Sequence, residues 1–208
     1  MKRKYLLLLV FPLIITACVR AVVTGSQIAK EITGLKRSSE QAGADLRLEK
    51  ILRNTIEQGR KNFLNINNLS EFGYYDIKVM EGRVLLTGIV FDRQTKSYIV
   101  GKITDNIKVR ELLDELEIEK KRELTWMKIK DYFLEKRVNT RIFLGSKIKS
   151  LNYEVSSINK KIYVIGIAEN REEHELLTKI IGTVDGVREV ISYVITVDSP
   201  KRPRNYIL

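Results

Sequence analysis

The chain carries an internal repeat at a constant spacing of 78 residues. The segment Gly82-Arg-Val-Leu-Leu-Thr-Gly88 aligns with Lys160-Lys-Ile-Tyr-Val-Ile-Gly166. Further apolar residues pair at the same spacing: Tyr75 with Tyr153, Ile77 with Val155, Ile99 with Leu177, Ile103 with Ile181, and Val109 with Val187. The register continues without a gap from Leu48 to Leu112 in the first copy. We therefore predict two copies of one domain of about 75 residues.

Each copy is predicted to fold in the order helix, strand, strand, helix, strand. The first helix of the first copy has apolar residues at helical spacing: Leu48, Ile51, Leu52 and Ile56. Two β-rich runs follow over 72–80 and 83–90, and Glu81-Gly82 between them predicts a two-residue hairpin turn. The last strands of the two copies are predicted over 110–119 and 187–197.

The helix between the second and third strands has a capping residue in each copy. Asp92 and Asn170 have short side chains that can accept a hydrogen bond from a free N–H of the first turn. A right-handed strand–helix–strand crossover then predicts a three-stranded mixed sheet with two helices on one face. Gly88 and Gly166 lie inside strands, where we expect them to make room for a packed helix. The predicted fold class is α+β, with two such domains in tandem.

The N-terminus has the three parts of an export signal. Lys2, Arg3 and Lys4 precede an apolar run over 5–15, and small residues then lead to Cys18. The apolar run is shorter than the roughly 20 residues that cross a bilayer. An alternative interpretation is a short uncleaved anchor with an incidental cysteine.

The segment Ile15-Thr16-Ala17-Cys18 resembles the lipobox of bacterial lipoproteins. This resemblance implies cleavage before Cys18, lipid attachment at its thiol and stable membrane anchoring by several acyl chains. Val19 follows the cysteine where Asp commonly signals retention in the inner membrane, so the resemblance implies the outer membrane. We divide the chain accordingly: 1–17 signal peptide, 18–44 lipidated cysteine and flexible tether, 45–120 first domain, 121–197 second domain, and 198–208 basic flexible tail.

The repeat itself resembles the BON domain, in tandem. The resemblance is carried by residues 82–88, by residues 160–166 and by Val184-Asp-Gly-Val-Arg-Glu-Val190. The first copy departs from the last motif, because Lys108 stands where the second copy has Gly186. Lipobox, tether and two BON units together resemble the DolP (YraP) group of periplasm-facing outer-membrane lipoproteins. The resemblance implies binding of anionic phospholipid through the second BON domain, support of outer-membrane integrity and no enzymatic activity.

The first helix of the second copy is the predicted lipid contact. At the spacing of 78, Trp126, Ile129 and Phe133 match core-facing positions of the first copy. Two other positions gain apolar residues, because Met127 replaces Glu49 and Tyr132 replaces Asn54. Four basic residues lie beside them: Lys128, Lys130, Lys136 and Arg137.

Apolar residues beside basic ones are what a helix at a membrane interface needs. We therefore expect contact with anionic phospholipid from five residues: Trp126, Met127, Lys128, Lys130 and Tyr132. The alternatives are that Trp126 is a larger core residue, that Met127 and Tyr132 pack against the first copy, and that the lysines are a solvated helix face.

Composition narrows the classes of partner and of site that we expect for this chain. The net charge is +11, from 37 Lys and Arg against 26 Asp and Glu, and it favours an anionic partner. Because the predicted export signal takes the chain out of the cytoplasm, we expect that partner to be a lipid surface rather than nucleic acid. One Cys and one His exclude a disulfide framework and a Cys/His metal cage.

Catalytic and cofactor motifs are missing from the sequence. It contains no phosphate-binding loop and no nucleophile elbow, so we expect no cofactor and no enzyme. His174 lies among acidic residues, and we expect it to be solvated. The alternative function is an envelope adaptor that holds another protein on its sheet faces or inter-domain groove, with only its acyl anchor in lipid.

Overall fold

The computed structural model describes residues 35–62 and 69–203 of the 208-residue chain. The predicted signal peptide, Cys18 and most of the predicted tether lie outside the described residues, as do residues 204–208. No helix within the described ranges is long and apolar enough to cross a membrane.

The described residues form two halves of the same plan. The first half contains α1 (Ser39–Asn62), α2 (Leu69–Phe72), β1 (Tyr74–Met80), β2 (Arg83–Val90), α3 (Arg93–Thr104) and β3 (Glu111–Ile118). The second half contains α4 (Thr125–Phe143), a 3₁₀ turn (Ser150–Asn152), β4 (Tyr153–Ile158), β5 (Lys161–Ala168), α5 (Arg171–Gly182) and β6 (Glu189–Thr196). The predicted α+β class and element order are confirmed, with the short α2 and the 3₁₀ turn added before the first strand of each half.

Each half has one three-stranded mixed sheet. The orders are β1-β2-β3 and β4-β5-β6, and the middle strand runs antiparallel to the first strand and parallel to the last. The spacing of 78 holds in the ladders, since Tyr75 faces Gly88 and Tyr153 faces Gly166. The hairpin turns Glu81-Gly82 and Asn159-Lys160 all have positive φ, as a two-residue hairpin of this kind requires.

The predicted caps of the second helices are present. The Asp92 side chain accepts a hydrogen bond from the Thr95 N–H at 2.7 Å, and Asn170 accepts one from the Glu173 N–H at 2.9 Å. The apolar stripes expected on these helices are buried: Ile99 and Ile103 on α3, Leu177 and Ile181 on α5. These caps and stripes place each helix on its sheet.

The predicted register of the first helices is wrong. The large apolar side chains that α1 buries are Leu48, Leu52 and Ile56, and those that α4 buries are Leu134, Val138 and Ile142. The helices therefore match at a spacing of 86 residues, not 78. The physical reason is a longer connection in the first half: Ile56 precedes Ile77 by 21 residues, whereas Ile142 precedes Val155 by 13. The expectation that Trp126, Ile129 and Phe133 point at the core depended on this register and is also wrong.

The strand glycines make room for a neighbouring strand rather than for a helix. A Cβ on Gly88 would lie 2.2 Å from the Tyr74 carbonyl oxygen, and one on Gly166 would lie 2.5 Å from the Asn152 carbonyl oxygen. Gly88 also has φ of 141°, which L side chains rarely adopt. These glycines let the first strand of each sheet approach the middle strand closely.

The two sheets stack face to face on the sides away from their helices. On β2, Val84, Leu86 and Val90 face the helices, while Leu85 and Ile89 join a second core with residues of β5. The order of layers is therefore helices, sheet, sheet, helices. The middle strands are buried on both faces, and the Thr87 and Ser156 hydroxyls bond to each other at 2.8 Å inside the joint.

Residues 35–44 of the predicted tether and residues 198–203 of the predicted tail have defined positions in the structure. Helix α1 begins at Ser39 because Ser38 and Gln41 form a capping box: the Ser38 hydroxyl accepts from the Gln41 N–H, and the Gln41 side chain accepts from the Ser38 N–H. At the other end, Arg202 pairs with the Glu81 carboxylate at 3.0 Å. The part of the predicted tail from 198 to 203 therefore lies against the first half.

Candidate functional site

Helix α4 carries two apolar stripes. The inner stripe of Leu134, Val138 and Ile142 is buried against the second sheet. The outer stripe faces solvent and comprises Trp126, 71% exposed, Ile129, 40% exposed, and Phe133, 60% exposed, at the helical spacing i, i+3, i+7. Tyr132 is 56% exposed beside it, with its ring edge-on to Phe133 at 5.6 Å. We call Trp126, Ile129, Tyr132 and Phe133 the aromatic patch.

The charge around the aromatic patch is mainly basic on the outer side of α4. The exposed basic residues of the helix are Lys128, Lys130, Lys136, Arg137 and Arg141. Its two acidic residues, Asp131 and Glu135, are buried and half-buried, and the Glu135 carboxylate pairs with Lys136 at 3.7 Å. The exposed side of the helix thus presents aromatic rings and mainly basic groups together.

Two lysine ammonium groups lie over aromatic rings. The Lys136 Nζ lies 5.1 Å from the centre of the Tyr132 ring, and the Lys128 Nζ lies 5.0 Å from the centre of the Tyr74 ring. Burial lowers the pKa of Lys128, against the opposing effect of the Glu123 carboxylate. These contacts hold the cations close to the edge of the aromatic patch.

Asp131 sets the rotation of α4. Its carboxylate accepts hydrogen bonds from the Asn159 N–H at 2.8 Å and the Lys160 N–H at 3.2 Å, both in the β4–β5 turn. It also accepts from the hydroxyls of Ser157 and Tyr74. Because Asp131 points to the sheet, the next two residues, Tyr132 and Phe133, point to solvent.

The five predicted contact residues do not all lie on the exposed side of α4. Trp126, Lys130 and Tyr132 lie on the exposed side of α4, as does Lys128 at its border with Tyr74. Met127 is half-buried and packs with the core between the two sheets, as the alternative interpretation expected for it.

Sequence reasoning missed Ile129 and Phe133 as surface residues. The signal was present, since the helix carries a second apolar stripe at Leu134, Val138 and Ile142. One helix cannot direct both stripes at the same core, so one of them had to face outward. The spacing of 78 assigned the wrong stripe to the core.

The sheet faces, His174 and the acidic side chains are weaker candidates for a functional site. Residues of both inner sheet faces form the core between the sheets, so those faces cannot hold a partner protein. His174 is half-buried rather than solvated, and its Nε2 lies 2.7 Å from the Ser192 hydroxyl. Within 35–62 and 69–203, no three His, Cys, Asp or Glu side chains are arranged to hold a metal ion.

The second half matches a known domain family. The family described as BON domain matches residues 133–198, from the middle of α4 to just beyond β6. An uncharacterized protein in the gshII 5′ region of Anaplasma centrale is 32% identical over 125 residues, which are 59% of this chain and 82% of that protein. Outer membrane lipoprotein DolP of Haemophilus influenzae is 24% identical over 197 residues, which are 91% of this chain and 93% of that protein. This chain is a DolP-like member of the BON-domain family.

The similarity to DolP spans both halves of the DolP-like chain, whereas the BON domain match covers only the second half. A solved structure of CdsD, a structural protein of the type III secretion system of Chlamydia trachomatis, is 13% identical and covers 70% of this chain and 91% of its own. Its TM-score of 0.28 is too low to support any conclusion about the present fold. The aromatic patch begins before residue 133, so most of it precedes the matched segment.

Proposed function

We propose that this chain is a lipoprotein of the bacterial outer membrane that faces the periplasm, binds anionic phospholipid through helix α4 and supports the integrity of that membrane. Both halves are BON domains in this proposal, because the first half repeats the sheet order, the strand register and the hairpin turns of the matched second half. Cys18 carries the lipid anchor. The resemblance of residues 15–18 to a lipobox and the similarity to the lipoprotein DolP support this assignment.

The exposed aromatic patch is the observation that carries the lipid proposal. Four large apolar side chains in one exposed group are uncommon on a soluble protein and mark an interaction surface. Trp and Tyr suit the headgroup region of a bilayer, since their rings have an apolar body and a polar tip. Entry of Trp126 and Phe133 into the interface would remove their apolar surface from water.

The basic residues around the patch select the kind of surface. Each Lys or Arg near an anionic leaflet contributes about 1 kcal/mol of attraction, and this attraction is screened by salt. Asp131 is buried, and Glu135 is half-buried and paired with Lys136, so the exposed charges of α4 are mainly basic. An adaptor that held a protein on the sheet faces would lack its surface, because those faces are buried against each other.

Trp126 provides a direct test, because it is the only tryptophan in the chain. The chain without residues 1–18 retains every described residue and lacks the proposed acyl anchor. We expect its tryptophan emission to shift to shorter wavelength with phosphatidylglycerol vesicles and not with phosphatidylcholine vesicles. We also expect the shift to weaken with added salt. An unchanged spectrum with anionic vesicles would refute the lipid proposal.

Vesicle co-sedimentation of variants locates the contact. We expect Phe133→Glu to abolish binding, since it places a carboxylate in the aromatic patch. Leu46→Glu is the matched control: Leu46 is the counterpart of Tyr132 at the spacing of 86 and is 68% exposed on α1. It should bind as the unaltered chain does. Equal loss in both variants would show that the contact is not specific to α4.

The anchor has its own test. Cells that express the full chain are labelled with a fatty acid, and we expect label in the unaltered chain and none in Cys18→Ser. Equal labelling of both would exclude Cys18 as the attachment site.

A further inference from the structure

Strand β6 has an open outer edge. It pairs only with β5 among the described strands. The Val197 N–H points back to the Ala168 carbonyl, and backbone groups alternate along a strand. The residues that direct their N–H and C=O groups outward are therefore Val190, Ser192, Val194 and Thr196. Glu189, the first residue, is the one charged residue of β6, and the strand contains no proline and no glycine.

The matching edge in the first half is closed. Strand β3 contains four acidic residues: Glu111, Asp114, Glu115 and Glu117. The Asp114 carboxylate accepts from the outward Leu116 N–H at 3.0 Å, and the Lys96 ammonium donates to the Leu116 carbonyl at 2.6 Å. Lys96 and Asp114 also form an ion pair at 3.0 Å. Charges of this kind prevent another strand from adding to an edge.

The second half has neither a lysine nor a carboxylate at the positions of this Lys96–Asp114 pair. At the spacing of 78, His174 stands for Lys96 and Ser192 stands for Asp114. The Ser192 hydroxyl is held by His174 and approaches the Val194 N–H only at 3.4 Å, longer than an ordinary hydrogen bond. The repeat thus protects one edge strand and leaves its counterpart open.

The two ends of β6 carry opposite charges without partners. Arg188 precedes the strand and Asp198 follows it, and both are exposed. Across residues 35–62 and 69–203 neither side chain has an ion-pair partner. Two antiparallel copies of β6 centred on Tyr193 would place Arg188 of each copy opposite Asp198 of the other.

We propose that β6 is a dimerisation strand that pairs antiparallel with β6 of a second copy of this chain. In the register centred on Tyr193, Val190 faces Thr196 and Ser192 faces Val194 of the second copy. All four direct their backbone groups outward, so each facing pair exchanges two N–H···O bonds. The same register brings Arg188 and Asp198 together, and a shift by two residues in either direction separates them. The β4-β5-β6 sheets of the two copies then join into one continuous sheet.

The mass of the full chain in non-ionic detergent, measured by light scattering over a dilution series, tests this proposal. We expect a species of two chains that dissociates on dilution. The double variant His174→Lys/Ser192→Asp copies the Lys96–Asp114 pair of the first half. For this variant we expect one chain at every concentration. Thermal unfolding followed by circular dichroism shows whether that variant is folded.

Charge exchange keeps the test decisive if the double variant fails to fold. Arg188→Asp and Asp198→Arg alter exposed side chains outside the strand. Each alone should weaken the dimer, because each places like charges opposite one another. The two combined should restore it. A single-chain mass for the unaltered protein, or a dimer that none of these variants weakens, would overturn the proposal.

Discussion

Asp45 and Asp131 occupy the same position in the two halves, although they lie 86 residues apart and not 78. Each carboxylate accepts both backbone N–H groups of its hairpin turn. Asp45 accepts from Glu81 and Gly82 at 2.9 and 3.1 Å, as Asp131 does from the β4–β5 turn. Both side chains are buried. In each half, one buried carboxylate therefore joins the first helix to the turn between the first two strands.

Replacement of Asp131 should destabilise the protein strongly. Asp131→Ala leaves two turn N–H groups without their acceptor, and a buried group left unpaired costs about 1–3 kcal/mol. We expect a loss of about 3 kcal/mol in the free energy of unfolding, measured in urea. Asp105→Ala, at an exposed position, should change stability by less than about 0.5 kcal/mol. Equal midpoints for the two variants would show that the Asp131 carboxylate does not hold the turn.

The strand repeat was readable from the sequence because sheet pairing preserves spacing. Hairpin and crossover have the same length in both halves, so Tyr75/Tyr153 and Ile103/Ile181 match without a gap. The first helices are joined by connections of different length, and the apolar residues alone do not show where the length changes. The positions of Asp45 and Asp131 do show the change in length, but only once the structure places each carboxylate at its hairpin turn.

The exposed site could also be predicted only in part. Trp126 and Tyr132 were selected for their chemistry, and both lie on the surface. Met127 was selected too but packs between the sheets, because sheet-on-sheet stacking has no periodicity signal in a single chain. The continuous burial of β2 and β5 reflects that stacking, and an apolar run in a sequence does not identify which surface covers it.

Gly88→Ala should prevent stable folding of the first half. The new Cβ would lie 2.2 Å from the Tyr74 carbonyl oxygen and 2.6 Å from the Tyr75 Cα, and both are backbone atoms of a paired strand. We expect a loss of more than about 3 kcal/mol, by urea unfolding.

The matched control for that change is Gly101→Ala. Gly101 lies in α3, where a Cβ meets nothing within 4 Å, and Ala is favoured over Gly in a helix by about 1 kcal/mol. We expect this variant to be more stable than the unaltered chain. If both alanines have the same effect, the close approach of β1 and β2 is not the reason for the glycine.

Neutralisation of Glu135 should stabilise the protein at neutral pH. Burial raises the pKa of Glu135, while Lys78 opposes this and Asp76 adds to it. The folded chain therefore takes up a proton at a higher pH than the unfolded chain, and stability falls as pH rises through that window. Glu135→Gln should unfold at higher urea than the unaltered chain at pH 7, and the difference should shrink as pH falls toward the ordinary carboxyl pKa of about 4.3.

The control for pH dependence is Glu172→Gln, on the exposed side of α5. It should shift the urea midpoint little and by a similar amount at each pH. A Glu135→Gln variant that is less stable than the unaltered chain at pH 7 would mean that the attraction of Glu135 for Lys78 outweighs the cost of its burial.

Arg202 should stabilise the fold although it lies in the C-terminal segment. Its guanidinium binds both oxygens of Glu81, which is 1% exposed, and also donates to the Lys36 carbonyl. Arg202→Ala leaves a buried carboxylate without its cation, and we expect a loss of about 2 kcal/mol, less than for a fully buried pair because Arg202 is partly exposed.

Lys201→Ala is the neighbouring control, since the Lys201 side chain is 63% exposed and its pair with Glu111 should contribute less than about 0.5 kcal/mol. The double variant Glu81→Gln/Arg202→Ala should lose less stability than the two single losses combined, because the removal of one partner already removes the pair. Strict additivity in urea unfolding would show that Arg202 acts through another contact.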